Sequence, residues 1–451
     1  MPELRLVTRL VIAACLVLVT TTGYAQRERS TEPTTGIRFQ PPTAVALLHA
    51  TVVVDPQTTL EDATILIEDG RIQRVGAQVQ IPPGYEVIDC EGDWIYPAWV
   101  EPLLEIECAA DPSNLAHWNA QIRPEVQASL TANVNQERVG QLRQAGFGAA
   151  LLAPEGGIMK GQSCIITLGS QDLAQSMLAT DVAQHIRLYP ERGSRGSYPN
   201  SPMGAMALVR QVLSDAAWYR DAQRIAGVTP GLNPPARDAA LEALQPLLAG
   251  QQVAILDGTN ELYALRCDRI AREFGLRAIV RGSGREYRRL DQLAATGRAL
   301  ILPLDFPDAP RVRTVAEAAD ASLQELMHWY LAPENPARVQ RAGIPFAFTS
   351  DQLEAPKEFL NRVRLAVKHG LEPTAALAAL TTQPAELLGI GDQVGTVSVG
   401  KLANLVRATG DVMDAQTKVK ETWVRGERFR WEEQPEQDLR GTWDLGAITV
   451  R

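Results

Sequence analysis

Ile95-Tyr96-Pro97-Ala98-Trp99-Val100-Glu101-Pro102-Leu103-Leu104-Glu105 is the joint of this chain, where one kind of sequence gives way to another. On its N-terminal side stand short β-rich runs at 46–54, 63–67, 71–76, 85–90 and 93–96. Asp55-Pro56 and Glu68-Asp69-Gly70 punctuate them, and such strands with turn residues between them predict an antiparallel β module. On its C-terminal side amphipathic stretches alternate with short apolar runs: 239–248, then 253–256, 261–274, 278–280, 286–295, 299–302, 317–331 and 345–348. Repeated β-α units of this kind predict parallel strands with helical crossovers, and continuous apolar strands fit burial on both faces. Six or so such strands can be placed; eight would close a barrel. After helical stretches at 357–369 and 373–388, strand and turn signals return at 394–397, 403–407 and 419–424 before Gly426. A β module is thus split around an α/β region. The tail is polar at 432–437, and Gly441-Thr442-Trp443-Asp444-Leu445 reads as one more strand, whose partner, within this chain or outside it, the sequence leaves open.

Two further segments carry a family resemblance. Asp62-Ala63-Thr64-Ile65-Leu66-Ile67-Glu68-Asp69-Gly70-Arg71-Ile72 resembles the opening of imidazolonepropionase-like and dihydroorotase-like members of the amidohydrolase superfamily. Thr381-Thr382-Gln383-Pro384-Ala385-Glu386-Leu387-Leu388-Gly389, followed by Gly400-Lys401-Leu402-Ala403-Asn404-Leu405-Val406, is similar to that superfamily's closing segment. The resemblance covers about 44–430 and implies an α/β fold: a TIM (β/α)8-type barrel, distorted or regular, with a composite β-sandwich built from both chain ends. The implied layout is a leader at 26–43, sandwich parts at 44–96 and 391–431, the barrel at 97–390 and a tail at 432–451. His117-Trp118-Asn119 with Arg123-Pro124-Glu125, Gly146-Phe147-Gly148-Ala149-Ala150 and Tyr198-Pro199-Asn200-Ser201-Pro202 resemble a secreted subgroup that lacks the first-strand histidine pair.

The resemblance also implies a site, and the residues depart from it. Members carry His-x-His on the first barrel strand; here those positions hold Leu103 and Glu105. At the expected histidines of the fifth and sixth strands stand Asp257-Gly258 and Arg281-Gly282, while Phe348-Thr349-Ser350-Asp351 keeps the eighth-strand aspartate. Imidazoles and carboxylates hold a divalent ion and leave a position for an activated water, whereas an arginine cannot give up its proton and opposes a cation. The expectation is therefore no tight metal site, with weak divalent-cation binding left open, and catalytic residues, if any, at Asp351, Glu105, Asp257 and Arg281. Glu101, Glu155 and Asp305 also fall at strand ends. The carboxylates there are expected to form salt bridges with Arg281 and Lys160, because unpaired buried charge is costly. His49, His185, His328 and His369 read as structural or surface residues, and His117 as a packed loop histidine. Gly156-Gly157 through Ser163 reads as a hairpin rather than a phosphate loop.

Composition bounds the rest. The 451 residues carry a formal charge of -9, and removal of 1–25 takes away Glu3, Arg5 and Arg9, giving -10. That balance disfavours nucleic acid. Arg5 and Arg9, the apolar run 10–19 and the small residues up to Ala25 read as a signal peptide, hence export to the periplasm or beyond. Ile12-Ala13-Ala14-Cys15 offers lipid anchoring as the alternative, and no run is long enough to span a membrane. Cys90, Cys108, Cys164 and Cys267 are too scattered for a disulfide framework and suit buried thiols. Two functions follow: an exported hydrolase of carbon–nitrogen bonds other than peptide bonds, with a small-molecule substrate in the barrel mouth, or a catalytically inactive partner of a metal-bearing paralogue.

Overall fold

The computed structural model describes residues 44–109, 117–169, 172–190 and 198–431, with the backbone of 443–444 and 449–450. The leader and the signal-peptide segment lie outside the described residues. The first strands, β1 (Ala44–Asp55), β2 (Thr58–Glu68), β3 (Arg71–Gly76), β4 (Glu86–Asp89) and β5 (Trp94–Pro97), share one eight-stranded sheet with later ones. The β2–β3 turn uses Asp69 and Gly70 at φ 49° and 74°, the backbone that Asp-Gly hairpins favour. A Cβ on Gly70 would also lie 2.6 Å from the carbonyl oxygen of Arg425, so the turn is fixed against the far end of the chain.

After Ala98 the chain enters β6 (Trp99–Ile106), then β7 (Phe147–Pro154), β8 (Met159–Gln162), β9 (Cys164–Thr167) and β10 (Met177–Ala179). Next come β11 (Ala183–Arg187), β12 (Val253–Asp257), β13 (Ala278–Arg281), β14 (Ala299–Pro303) and β15 (Phe346–Thr349). β6 and β7 pair in parallel, and so do β11 through β15 in sequence order. This is the mixed α/β text expected, with helices such as Glu261–Glu273 and Phe359–Lys368 between strands. The ladder is nevertheless divided. β10-β9-β7-β6 form one sheet, β15-β14-β13-β12-β11-β8 another, and β8 runs antiparallel to β11. Side chains rather than a backbone ladder tie β15 to β6: Thr349 Oγ1 donates to Glu101 Oε1 at 2.5 Å. The regular closed ring of eight parallel strands is not what these strands build.

β16 (Leu405–Ala408), β17 (Val419–Val424) and β18 (Glu427–Arg430) then return to the first sheet, where β16 pairs antiparallel with β5. One sheet thus draws on both ends of the chain, as expected. Its buried face joins Val45, Leu47, Ile65 and Ile67 to Leu405 and Trp423. Burial of each such side chain contributes roughly 1.5–3 kcal/mol.

Several expectations change. Residues 394–397 form no strand; Gly395 at φ 91° makes them a loop, held by the Val397 N–H on the Val54 carbonyl. The 317–331 helix is two helices, Val315–Asp320 and Leu323–Leu331, because Ser322 caps the second with Glu325 in a reciprocal capping box. The longest helix among the described residues, Pro202–Val228, is set by its own sequence. Ser201 accepts from Gly204 N–H at its start, Pro202 suits its first turn, and Leu208, Val209, Val212, Leu213, Ala216 and Tyr219 form its buried stripe. The tail strand β19 (Trp443–Asp444) pairs antiparallel with β20 (Thr449–Val450). No helix among the described residues is long and apolar enough to cross a membrane. The cysteines at 90, 108, 164 and 267 form no disulfide; 90, 164 and 267 are buried and 108 partly so.

Gly146 fixes the relation of β6 to β7. It sits at φ 101°, and a Cβ there would press on the Trp99 indole, 2.9 Å from Cδ1, while Trp99 Nε1 donates to the Ala145 carbonyl at 3.0 Å. Gly146→Ala is expected to cost about 2–4 kcal/mol in urea unfolding, from strained backbone and overpacking together. A loss under about 1 kcal/mol would show that the indole has room to shift.

Candidate functional site

At the C-terminal ends of the parallel strands, side chains from five strands meet in one ion cluster. β6 brings Glu105, β8 Lys160, β11 Arg187, β12 Asp257 and β13 Arg281; Asp351 follows β15. The apolar strands put these residues there: Asp257 and Arg281 end buried runs, and they face each other in the β12–β13 register. Lys160 donates to Glu105 Oε1 in a very short contact and to Asp257 Oδ2 at 2.6 Å. Arg187 Nε lies 3.5 Å from the same Asp257 oxygen. Arg281 Nη2 makes an equally tight contact with Asp351 Oδ2, while its Nη1 stands 3.6 Å from Glu105 and 3.8 Å from Asp257. Lys160, Arg187 and Arg281 thus balance Glu105, Asp257 and Asp351.

The four residues expected from the sequence are therefore brought together, and the salt bridges to Arg281 and Lys160 are the ones anticipated. Burial alone would raise the Asp257 carboxyl, but the charges of Lys160 and Arg281 outweigh it and hold it well below the ordinary range. Burial likewise works against the Arg281 charge, and Asp257, Asp351 and Glu105 more than restore it. Asp351 differs: burial raises its pKa, and Arg281 only partly opposes this.

Other strand-end acids go elsewhere. Glu155 and Asp305 are exposed, outside the cluster. Glu101 is wholly buried behind it, accepting from Thr349 Oγ1, Ser350 N–H at 2.8 Å and Leu103 N–H at 3.1 Å. Thr349 Oγ1 in turn accepts from the Asp351 N–H at 3.0 Å, so Glu101 positions the Asp351 turn. Glycines 156 and 157 lead into β8, which pairs with β11, while β9 pairs antiparallel with β7, so the stretch to Ser163 crosses between two sheets and is not a hairpin.

Burial pushes the Glu101 carboxyl from 4.5 up to about 7, with hydrogen bonds from Ser350 and Thr349 pulling the other way. The folded protein therefore holds a proton that the unfolded chain has lost. This contribution to stability is full below the ordinary carboxylate range and disappears as pH rises through about 7. Relative to Glu101→Gln, the wild type should lose roughly 3 kcal/mol between pH 5 and pH 8 in urea unfolding. A difference independent of pH would contradict it.

His185, read from the sequence as structural or surface, is structural: it lies on β11, fully buried, with neither ring nitrogen hydrogen-bonded. The register sets His185 opposite Ile255 and Arg187 opposite Asp257, so His185 shares the cluster's face one layer beneath it. Burial, then the Lys160 charge, drive its pKa down to about 3, leaving a neutral imidazole. The other histidines are as expected. His49 pairs with Asp89 at the surface, His328 meets the Tyr287 hydroxyl, His369 caps a helix C-terminus, and His117 Nδ1 accepts from Asn119 N–H. The sequence assigns Lys160 only a salt-bridge role and His185 none; Lys160 follows the apolar pair Ile158-Met159, while His185, between Gln184 and Ile186, carries no such signal.

These residues do not fit the binuclear metal centre that the first-strand pattern would imply. Any dication among the three carboxylates would meet an ammonium and a guanidinium already in contact with them. Among the described residues no group of three or more His, Cys, Asp and Glu side chains is placed to hold a metal ion.

The family model described as the amidohydrolase family matches residues 334–429. No curated protein sequence matches the chain. An amidohydrolase from Thermotoga maritima has a similar structure, with a TM-score of 0.70 at 20% identity over 86% of this chain and 100% of that one. A prolidase complexed with N-methylphosphonate-L-proline (0.52, 16%, 86% and 100%) and a Xaa-Pro dipeptidase with bound methionine (0.51, 14%, 86% and 100%) are similar too. At these identities the likeness is one of fold. The family match is confined to this C-terminal segment, while the likeness to the amidohydrolase structures spans most of the chain as a shared fold.

Proposed function

We propose that this protein is an exported hydrolase of carbon–nitrogen bonds other than peptide bonds, working without the superfamily's usual metal pair on a distorted (β/α)8-type barrel with a composite β-sandwich. The observation that carries it is the exposure gradient across the cluster. Lys160 and Asp257 are sealed, at 0% and 3% side-chain exposure, while Glu105 and Asp351 keep 21% and 17%. Two carboxylates thus face the mouth over the sealed Lys160–Asp257 ion pair. In this reading a water attacks the substrate carbonyl carbon and its proton passes to Asp351, whose raised pKa suits a base that must also act as an acid. Asp351 then returns the proton to the leaving nitrogen as the C–N bond breaks. Arg281 Nη1, beyond hydrogen-bond length from Glu105 and Asp257, meets the developing oxyanion. Glu105 and Asp257 hold that guanidinium in place.

A second reading keeps the fold as an inactive binding or assembly partner of a metal-bearing paralogue. The balance of three cations against three carboxylates favours it, since a fully paired cluster offers no strong base. Turnover of a panel of linear and cyclic amides and imides by protein dialysed against EDTA separates the two. Metal-insensitive hydrolysis is the expected result. Folded protein that turns over none of the panel overturns the hydrolase, and activity that returns only with Zn²⁺ or Mn²⁺ overturns the metal-free site.

A further inference from the structure

We infer that the N-terminal end of strands β11 to β13 holds a second ligand site, and that it takes a free amino acid with a branched apolar side chain. A cavity of about 330 Å³ opens there. Its walls come from residues at or just before the starts of these strands, whereas the ion cluster occupies their C-terminal ends. Val253 and Asp257 stand four positions apart, as do Arg277 and Arg281. Roughly 13 Å of strand therefore separates the two places. The proposed hydrolysis plays no part in this site.

A regular barrel fills its interior with layers of side chains, and its N-terminal face serves stability. Here the ladder is divided, and the layer at this end is left open. Ile255 pairs with Ile279, and the two-residue period puts Val253 on the face of Ile255 and Arg277 on that of Ile279. Val253, Ile255 and Ile279 form an apolar wall, and Leu388, just after the helix Thr382–Leu387, extends it. The rim is charged. Arg277 precedes β13, Asp181 precedes β11 and Glu386 lies on the helix; all three are exposed. Among the described residues none of the three forms an ion pair, and Arg277 Nη1 donates only to the Gly250 carbonyl, at 3.4 Å. Such a rim offers a forked donor for a carboxylate and two acceptors for an ammonium. An α-amino acid carries both charges on one carbon and an apolar body beside them. The cavity is at the small end of ligand sites, so it suits a side chain of leucine size rather than a peptide.

The test is calorimetric titration of the full chain with L-leucine, with 4-methylpentanoate, which lacks the ammonium, with 3-methylbutylamine, which lacks the carboxylate, and with glycine, which lacks the apolar body. L-leucine is expected to bind at one equivalent, and each of the other three at least tenfold more weakly. Arg277→Gln should weaken L-leucine binding about tenfold or more. Val253→Phe, which fills the cavity, should abolish it, and Asp351→Asn should leave it unchanged. No binding at millimolar L-leucine overturns the inference, and so does a single-charge analogue that binds as tightly. Binding lost in Asp351→Asn but kept in Arg277→Gln places the ligand in the barrel mouth and overturns it equally. Should Val253→Phe be unfolded by circular dichroism, Arg277→Gln, on the exposed rim, decides alone. Turnover does not enter the readout. Protein that hydrolyses nothing yet binds L-leucine in this pattern defeats the proposed function and leaves this inference standing.

Discussion

Lys160→Met is expected to lower folding stability by about 3–5 kcal/mol at neutral pH without added metal. The reason is not the lost attraction but what stays behind. Lys160 has no exposed side-chain surface and contacts Glu105 and Asp257 together, so methionine, of similar length, leaves two carboxylates facing each other across an apolar side chain. Arg281 compensates poorly, at 3.6 and 3.8 Å from them, and Arg187 reaches only Asp257. The deficit should shrink as pH falls, because a carboxyl robbed of its cation takes up a proton more readily and becomes a neutral group. Replacing both partners tests the same point from the other side. Lys160→Met with Asp257→Leu should recover part of the loss, since apolar groups of similar volume are tolerated where half an ion pair is not. Urea unfolding of the wild type, both single variants and the double variant gives the coupling. If Lys160→Met costs under about 1 kcal/mol, or the deficit does not depend on pH, Lys160 is not a buried partner of these acids.

The parts of this molecule that were legible before folding are those whose cause is local. The β-rich run 63–67 and Asp69-Gly70 mark β2 and β3 because strand-forming residues and a two-residue turn need no distant partner. The parallel strands β12 to β15 read clearly as short apolar runs followed by helical stretches. Asp257, Arg281 and Asp351 could be placed in one site because each follows such a run directly. What stayed hidden depends on contacts far apart in the chain. Glu101 and Glu105 are both acids on β6, yet one is sealed behind Thr349 and Ser350 while the other enters the cluster. Four residues separate them, and an irregularity in the β6–β7 register lies between Glu101 and Leu104. No periodicity announces that irregularity. The neighbourhood of His185 was hidden too, because β11 is a five-residue strand, too short for its pattern to stand out, and Asp257 lies more than seventy positions later. The interrupted ladder was equally out of reach, since β8 turning antiparallel to β11 is a property of pairing rather than of either segment.

Asp351→Asn is expected to lower turnover of any carbon–nitrogen substrate by about 10²–10⁴-fold, the usual contribution of a positioned acid–base group. The substitution is close to isosteric. The amide oxygen still accepts from Arg281, and the backbone N–H still donates to Thr349 Oγ1, so the turn held by Glu101 should survive. Substrate binding, which the exposed rim of the mouth governs, should change much less than kcat, and a large rise in KM alone would point to a binding role instead. The pH profile gives the second readout. Burial raises the Asp351 pKa, so the rate should climb with pH through a limb lying above the ordinary carboxylate range, as the base loses its proton. That limb should vanish in the variant while any other ionisation stays. Arg281→Lys should blunt the same limb without removing it, because an ammonium keeps one charge near Asp351 but loses the guanidinium fork. Unchanged turnover in Asp351→Asn, with the wild-type pH limb intact, would move the chemistry away from this cluster and leave it as an ion network that holds the ends of five strands together.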